Sequence, residues 1–234
     1  MKNILTKILI AMVIVIVSYL DAQTINRYGT TTANFLEIGI GSRATSMGDA
    51  YVAVSNDVSS IYWNPAGLAH VTRSSALFSI QPWLVDIDMM FAGGAFVVPS
   101  VGVIGLGITH LDYGEMDVTN LEYQDGTGER FGASDVAATF TFSRKIVSWF
   151  SFGSSMKYIS SKIWHSSASA FAVDLGVLVN TNFFSFTGKD KDGMNIGMSI
   201  SNYGTRMKYD GIDNYQPIDI SEFEEGNYGD VAGQ

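Results

Sequence analysis

Cysteine is absent from this chain, and only 16% of its residues are charged. The first absence excludes disulfides, thiolate catalysis, cysteine-ligated zinc and a bacterial lipoprotein anchor. The second sets the chain apart from an ordinary soluble domain, in which roughly 25% of residues carry charge. Proline is scarce at 4 residues and histidine at 3. Basic residues are also in the minority, 14 against 23 acidic ones for a net charge of −9. An acidic surface argues against a nucleic-acid partner, because a phosphate backbone calls for a basic one. What remains is apolar (47%), aromatic (12%) and rich in glycine, 24 in 234 residues. Such a chain is not disordered, and its composition leaves the membrane classes open.

The only long helical apolar segment is at the start. Lys2 and Lys7 precede an unbroken apolar run from Ile8 to Val17, followed by Ser18, Asp21 and the small residue Ala22. That order is a signal peptide over residues 1–22, with cleavage expected between Ala22 and Gln23. A run of this length spans roughly 15 Å as a helix, half the hydrocarbon thickness of a bilayer, so it does not read as a permanent anchor. An exported, acidic chain without cysteine points to a bacterial envelope.

Beyond residue 74 the pattern is one of strands. Met89 to Ile108 holds no charged residue, but five glycines and Pro99 would cost a helix there on the order of 8 kcal/mol. The same residues form a natural hairpin with Pro99 and Ser100 at the turn. Later segments alternate with period two. Val136, Phe140 and Phe142 oppose Asp135, Thr139 and Ser143, and Phe152 and Met156 oppose Ser151, Gly153, Ser155 and Lys157. Phe171, Val173 and Leu175 oppose Ala172, Asp174 and Gly176, while Ile196 and Met198 oppose Asn195 and Gly197.

Seven strands are expected, at Ser74–Gln81, Val85–Val98, Val101–Asp117, Ala133–Ile146, Phe150–Ile163, Ala168–Asn180 and Met194–Tyr203. Most reach the nine to eleven or so residues that a tilted membrane strand needs. Short links at Pro99–Ser100 and Val147–Trp149 exchange with longer ones at Tyr113–Gly132 and from Gly204 onward, and Trp83, Trp149, Trp164, Phe183 and Phe184 fall near strand ends. Those are the marks of an all-β, transmembrane antiparallel β-barrel with short periplasmic turns and aromatic girdles. In that frame Asp135, Thr139, Ser143, Ser155, Lys157, Asp174 and Asn195 face the lumen, and the opposite residues face lipid. An Arg at Val173 is then expected to cost about 2–4 kcal/mol and one at Asp174 far less.

Asn34 to Val71 has a different character. It contains Phe35-Leu36-Glu37-Ile38-Gly39-Ile40-Gly41-Ser42-Arg43-Ala44, then Met47-Gly48-Asp49-Ala50-Tyr51-Val52-Ala53-Val54, then Asp57 to Ala69 with Asn64-Pro65-Ala66-Gly67-Leu68 at its end. Asp57 is placed to cap one helical turn, Asn64 and Pro65 to cap and start another, and Gly67 to let the chain turn into the first strand.

Joined to Ser201-Asn202-Tyr203-Gly204-Thr205-Arg206-Met207-Lys208-Tyr209 downstream, this block resembles the PorV/PorQ family of outer-membrane proteins, within the wider FadL-like barrels. The resemblance implies an N-terminal plug over residues 23–72, marked by Gly41, Arg43, Met47, Gly48, Asp57, Asn64, Pro65 and Gly67. It also implies a barrel of about fourteen strands. PorV-like members serve type IX secretion as surface-side carriers of cargo proteins, and FadL-like members pass long hydrophobic molecules. The partners implied are outer-membrane lipid, secreted cargo, other secretion components or hydrophobic small molecules. With seven strands, residues 73–234 are expected to be the N-terminal half of such a barrel, a truncated product ending in an extracellular loop.

The chain offers little for chemistry. Gly39, Gly41 and Gly48 lack the spacing of a dinucleotide site and read as tight turns, and no serine-hydrolase elbow occurs. His110, Asp112 and His165 have no spacing that fixes a nucleophile beside a base, so neither an enzyme nor a cofactor is expected. Asp190-Lys191-Asp192-Gly193 lacks the acidic positions of a calcium loop and reads as a solvated turn, and no metal is expected. Asp210, Asp213, Asp219, Glu222, Glu224, Glu225 and Asp230, with no basic residue among them, read as a solvated acidic loop able to meet cations or a basic partner.

Overall fold

The computed structural model describes residues 32–85, 87–188 and 193–212, and the backbone of two further strands at 215–219 and 228–233. The expected signal peptide and the Asp190–Asp192 turn lie outside the described residues. An antiparallel sheet dominates: β1 Ser75–Pro82, β2 Asp88–Val98, β3 Gly102–Asp117, β4 Arg130–Val147, β5 Phe150–Ile163, β6 Ser166–Asn180 and β7 Asn195–Gly204, each paired with the next. A two-residue strand, β8 Asp210–Gly211, pairs with the start of β6 at Ser166 and Ser167. β9 Tyr215–Asp219 and β10 Tyr228–Gly233 form a separate hairpin. All seven expected strands are present. The segment after Gly204, expected to be loop, instead returns to the sheet at β8 and then forms the hairpin. Among the described residues the sheet is open, with β1 and β7 at its two ends, so a closed barrel is not seen. No described helix is long and apolar enough to cross a membrane.

Links at the near end of the sheet are the Pro99–Val101 turn, where Ser100 takes a φ of 66°, the link at 148–149, and the segment 181–194. The far end carries 83–87, 118–129 and the two-residue turn Trp164–His165. The expected exchange of short and long links therefore holds only as far as β5. Trp164 at φ 51° closes the β5–β6 turn tightly, and the longer excursion falls at the near end.

The alternation works as the backbone requires, since successive side chains point to opposite faces. One row across six strands reads Phe78, Ala92, Ile108, Ala138, Tyr158 and Phe171. These residues lie on an apolar face whose large members, Phe171 at 57% among them, are exposed. The other face is covered. Thr141, Ser143, Ser151, Ser155, Lys157 and Asp174 are buried there although polar, an inside-out arrangement that suits a sheet with hydrocarbon on one side.

What covers that face is the N-terminal block, four short helical segments at Asn34–Glu37, Ser42–Thr45, Ser60–Trp63 and Pro65–His70 joined by loops. No turn is long enough to be stable alone. Its apolar residues Phe35, Leu36, Ile40, Val58, Ile61 and Leu68 form one core with Met89, Phe91, Leu111, Ala137 and Ile159 of the sheet.

Candidate functional site

The contact between block and sheet is made at glycines. A methyl group on Gly153 would stand 2.3 Å from the carbonyl carbon of Pro65, one on Gly176 would stand 2.1 Å from Asn64 Oδ1, and one on Gly197 would stand 2.5 Å from Ala53 Cα. On β3, methyls at Gly105 and Gly107 would meet Leu68 and Ile61 at 2.7 and 2.9 Å. The block thus rests directly on the sheet's backbone, an approach that only residues without Cβ allow.

Asn64 is the anchor. Fully buried, it accepts at Oδ1 from the Ala66 amide (3.0 Å) and so caps the Pro65–His70 turn, whose first residue Pro65 has no N–H to satisfy. Its Nδ2 donates to Val52 O within the block (2.8 Å) and to Val177 O on β6 (3.2 Å). Gly67 does something other than expected. Its φ is not positive, and a Cβ there would lie 2.3 Å from Ser55 O. It is glycine because two stretches of the block touch, not because the chain turns. Gly41 and Gly48 do turn, with φ of 83° and 62°, whereas a Cβ on Gly39 would meet the Asp49 carboxylate at 2.4 Å.

Asp57 gathers the block's polar rim. Its Oδ1 accepts from the Ser59 amide (2.9 Å), and its Oδ2 accepts from Tyr51 Oη (2.9 Å). Arg43 donates to Asn56 Oδ1 at 2.9 Å and lies over the Tyr51 ring at 5.4 Å. Met47 stays exposed and joins none of these contacts.

A buried ion pair faces the block from the sheet. Lys157 Nζ lies 2.8 Å from Asp174 Oδ2, with side-chain exposures of 3% and 1%, and donates to Asn202 Oδ1 at 2.7 Å. Asn202 sits at φ 58° in a bulge where two residues of β7 oppose Asp174, and its amide donates to Asp174 Oδ1 at 2.7 Å. The ammonium also lies 5.9 Å from the centre of the Tyr62 ring. Tyr62 Oη reaches Leu36 O and Ile38 O, both at 2.7 Å. Burial, then the carboxylates of Asp49, Glu37 and Asp174, push its pKa above the usual phenol range, so the phenol stays a donor. This overturns the expectation that an Arg at Asp174 would be cheap. The position is fully buried and its partner is a cation, so an Arg there would leave two buried positive charges facing each other.

Of the remaining polar residues on the covered face, Thr141 Oγ1 and Ser155 Oγ lie 2.8 Å apart, and Ser143 Oγ donates to Ala66 O at 3.3 Å. Asp135 accepts from Tyr113 Oη at 2.7 Å, farther along the strands. Thr139 is buried between these groups. Asn195 is exposed at the start of β7, and its Oδ1 accepts from Asn180 Nδ2 at 2.8 Å. The contact between Ser151 Oγ and His70 Nε2, 3.1 Å, was not legible from sequence. Burial, then Lys145, lowers the pKa of His70. The three histidines do not converge. Among the described residues no cluster of His, Asp and Glu is placed to hold a metal.

The arrangement is therefore a docking site for the chain's own N-terminal block, built of glycines, one buried Asn and one buried ion pair. A family model described as type IX secretion system protein PorV matches residues 21–226. The chain belongs to the PorV family. Its β-rich fold fits a place at the outer membrane, where that family takes part in type IX secretion. No curated protein and no solved structure matches it.

Proposed function

We propose that this PorV-family chain is a non-enzymatic carrier or attachment component of type IX secretion. In this reading the sheet is part of an outer-membrane barrel, exported by the N-terminal signal peptide. Residues such as Asp135, Thr139, Ser143, Ser155, Lys157 and Asp174 line the lumen, and the N-terminal block is a plug that stays shut. Cargo or partner proteins are held on the far-end loops outside the cell. The observation that supports this most is the close contact of the block with Gly153, Gly176 and Gly197, where no Cβ would fit. A plug that had to swing aside for each hydrophobic molecule would have to break those contacts, expose Asn64 and leave Lys157 and Asp174 uncovered, costs that weigh against a FadL-like conduit.

The test uses the full-length protein in a type IX-competent host. Because the chain has no cysteine, His70→Cys and Ser151→Cys can be bridged by a short bifunctional maleimide, fixing block to sheet where the native side chains touch. Surface display of an exported cargo protein should be unchanged by the bridge. Loss of display on bridging, or loss of long-chain fatty-acid uptake with display intact, would overturn the proposal in favour of a moving plug.

A further inference from the structure

The near end of the sheet has features that neither the block nor the strand ladders account for. Its link at 181–194 is a long excursion where the links at Pro99–Val101 and 148–149 are tight, and it carries aromatic rings outward: Phe184 is 76% exposed and Phe186 fully so. The backbone holds those rings. The Thr181 amide donates to Met194 O, the Met194 amide to Phe183 O and the Ser185 amide to Asn182 O, each at 3.0 Å. Phe184 takes a φ of 62°, and its ring stands edge-on to Phe183 at 4.5 Å. The Asn180 amide donates to Trp149 O at 2.8 Å, which brings the half-exposed Trp149 to the same rim.

Charge at this rim has one sign. Its strand ends and links carry Arg73, Arg144 and Lys145 and, among the described residues, no carboxylate, while the two Lys and two Asp at 189–192 cancel. The connection from β3 to β4 at the far end is the reverse, with Glu115, Asp117, Glu122, Asp125 and Glu129 against Arg130. Arg144 shows what the near end meets. Ser143 before it is buried and donates to Ala66 O, so alternation turns Arg144 to the apolar face. There it shares a row with Phe152, Val177 and Met198, and it pairs with no carboxylate among the described residues. A cation on a hydrocarbon-facing row carries its head along its own stem to the interface. The end of β4 is three residues away, about 10 Å of strand, and a planar guanidinium arriving among headgroups finds its complement in a phosphate. Aromatic rings at the same level suit that boundary, apolar on one side and wet on the other. An acidic soluble protein would reach the rings from the water side but not the row of Arg144, whereas a lipid with an anionic head meets both.

We propose that Arg144, Trp149 and the segment 181–188 form a seat for an anionic phospholipid. Its phosphate lies on the Arg144 guanidinium in the field of Arg73 and Lys145, Trp149, Phe183 and Phe184 stand at headgroup level, and an acyl chain runs along Phe152 and Val177. This rests on the barrel reading of the sheet and says which lipid its near end takes.

The full-length protein is reconstituted into vesicles of equimolar phosphatidylcholine and phosphatidylglycerol, extracted in mild detergent and weighed by native mass spectrometry for the lipid it keeps. The wild type should keep phosphatidylglycerol over phosphatidylcholine, and less so when extracted at high salt. Arg144→Gln should lower that preference about tenfold, Arg144→Lys should fall between, and Phe183→Ser/Phe184→Ser/Phe186→Ser should keep less of both lipids. Lys162→Gln removes an exposed cation near the far end of β5 and should match the wild type. Added inorganic phosphate should displace nothing. Equal retention of the two lipids by the wild type, equal losses in Arg144→Gln and Lys162→Gln, or displacement by inorganic phosphate would overturn the seat and leave the barrel reading standing. Failure of the wild type to enter the vesicles at all would overturn the barrel reading itself.

Discussion

Gly153→Ala is the sharpest test of how block and sheet are joined. The new methyl would stand 2.3 Å from the carbonyl carbon of Pro65, 2.5 Å from Pro65 O and 2.5 Å from the Ala66 nitrogen. All three are backbone atoms, so no rotamer change relieves the clash. Ordinary contact begins near 3.4 Å, so the Pro65–Ala66 peptide must retreat by about 1 Å. The bond from Asn64 Nδ2 to Val177 O is already 3.2 Å long, and such a retreat breaks it. Overpacking costs about 1–3 kcal/mol and the lost bond about 1 kcal/mol. The sum, about 2–4 kcal/mol, is roughly a 30- to 1,000-fold shift toward the undocked block. Gly94→Ala is the control. It lies on the apolar face of β2, where a methyl would meet only the Phe96 ring at 3.4 Å, and its effect should stay within about 0.5 kcal/mol. Hydrogen exchange of the amides between Val58 and His70, in detergent-solubilised protein, reads the difference directly. Equal protection in the two variants, or unchanged protection in Gly153→Ala, would refute the claim that the block lies on the strand backbone.

Two further outcomes follow from the buried charges. Replacing Lys157 by Met or Asp174 by Asn alone should destabilise the fold by about 3–5 kcal/mol, while Lys157→Met with Asp174→Leu together should cost much less; resistance to chemical denaturation in detergent measures both, and additive losses would show that the two charges are not a pair. His70 gives a pH dependence of predictable sign. Its folded pKa lies below the ordinary 6.5 because burial and Lys145 disfavour the charged ring, so the unfolded chain binds the proton more readily and stability falls as pH drops below about 6.5 toward the folded value. Protease nicking of the block should rise across that window in the wild type and stay flat in His70→Gln, and a flat wild-type profile would count against it.

The strands were legible because period two is a local property. Phe150–Ile163 is read from sequence with the bounds it has in the fold, since its apolar and polar residues alternate from Phe150 to Tyr158 except at Ser154. The same alternation put Lys157 and Asp174 on one face. Their pairing also needed the register, in which Lys157 opposes Ala172 and Ser155 opposes Asp174, so the two charges meet on a diagonal. β6 begins two residues earlier than expected because Ser166 and Ser167 look like turn residues but pair with β8. β8 itself has no sequence signal, since two residues cannot show a period and their place is decided by the edge of β6.

The block was harder. Its turns are too short for a helical period, and only the caps at Asp57 and Asn64 declared themselves. One sign of its docking was nonetheless in the sequence. Gly153, Gly176 and Gly197 occupy inward positions on three successive strands, where each weakens its strand by about 0.5–1 kcal/mol relative to Ala. Against water or lipid, a side chain there would cost nothing. Three such vacancies on one face point to another segment at rest on them, and Asn34–Val71, with its short turns and its buried Asn, is a stretch of described chain not committed to the sheet's ladders. Reading inward glycines as a footprint, rather than as turn residues, predicts where a segment docks before its own fold is known.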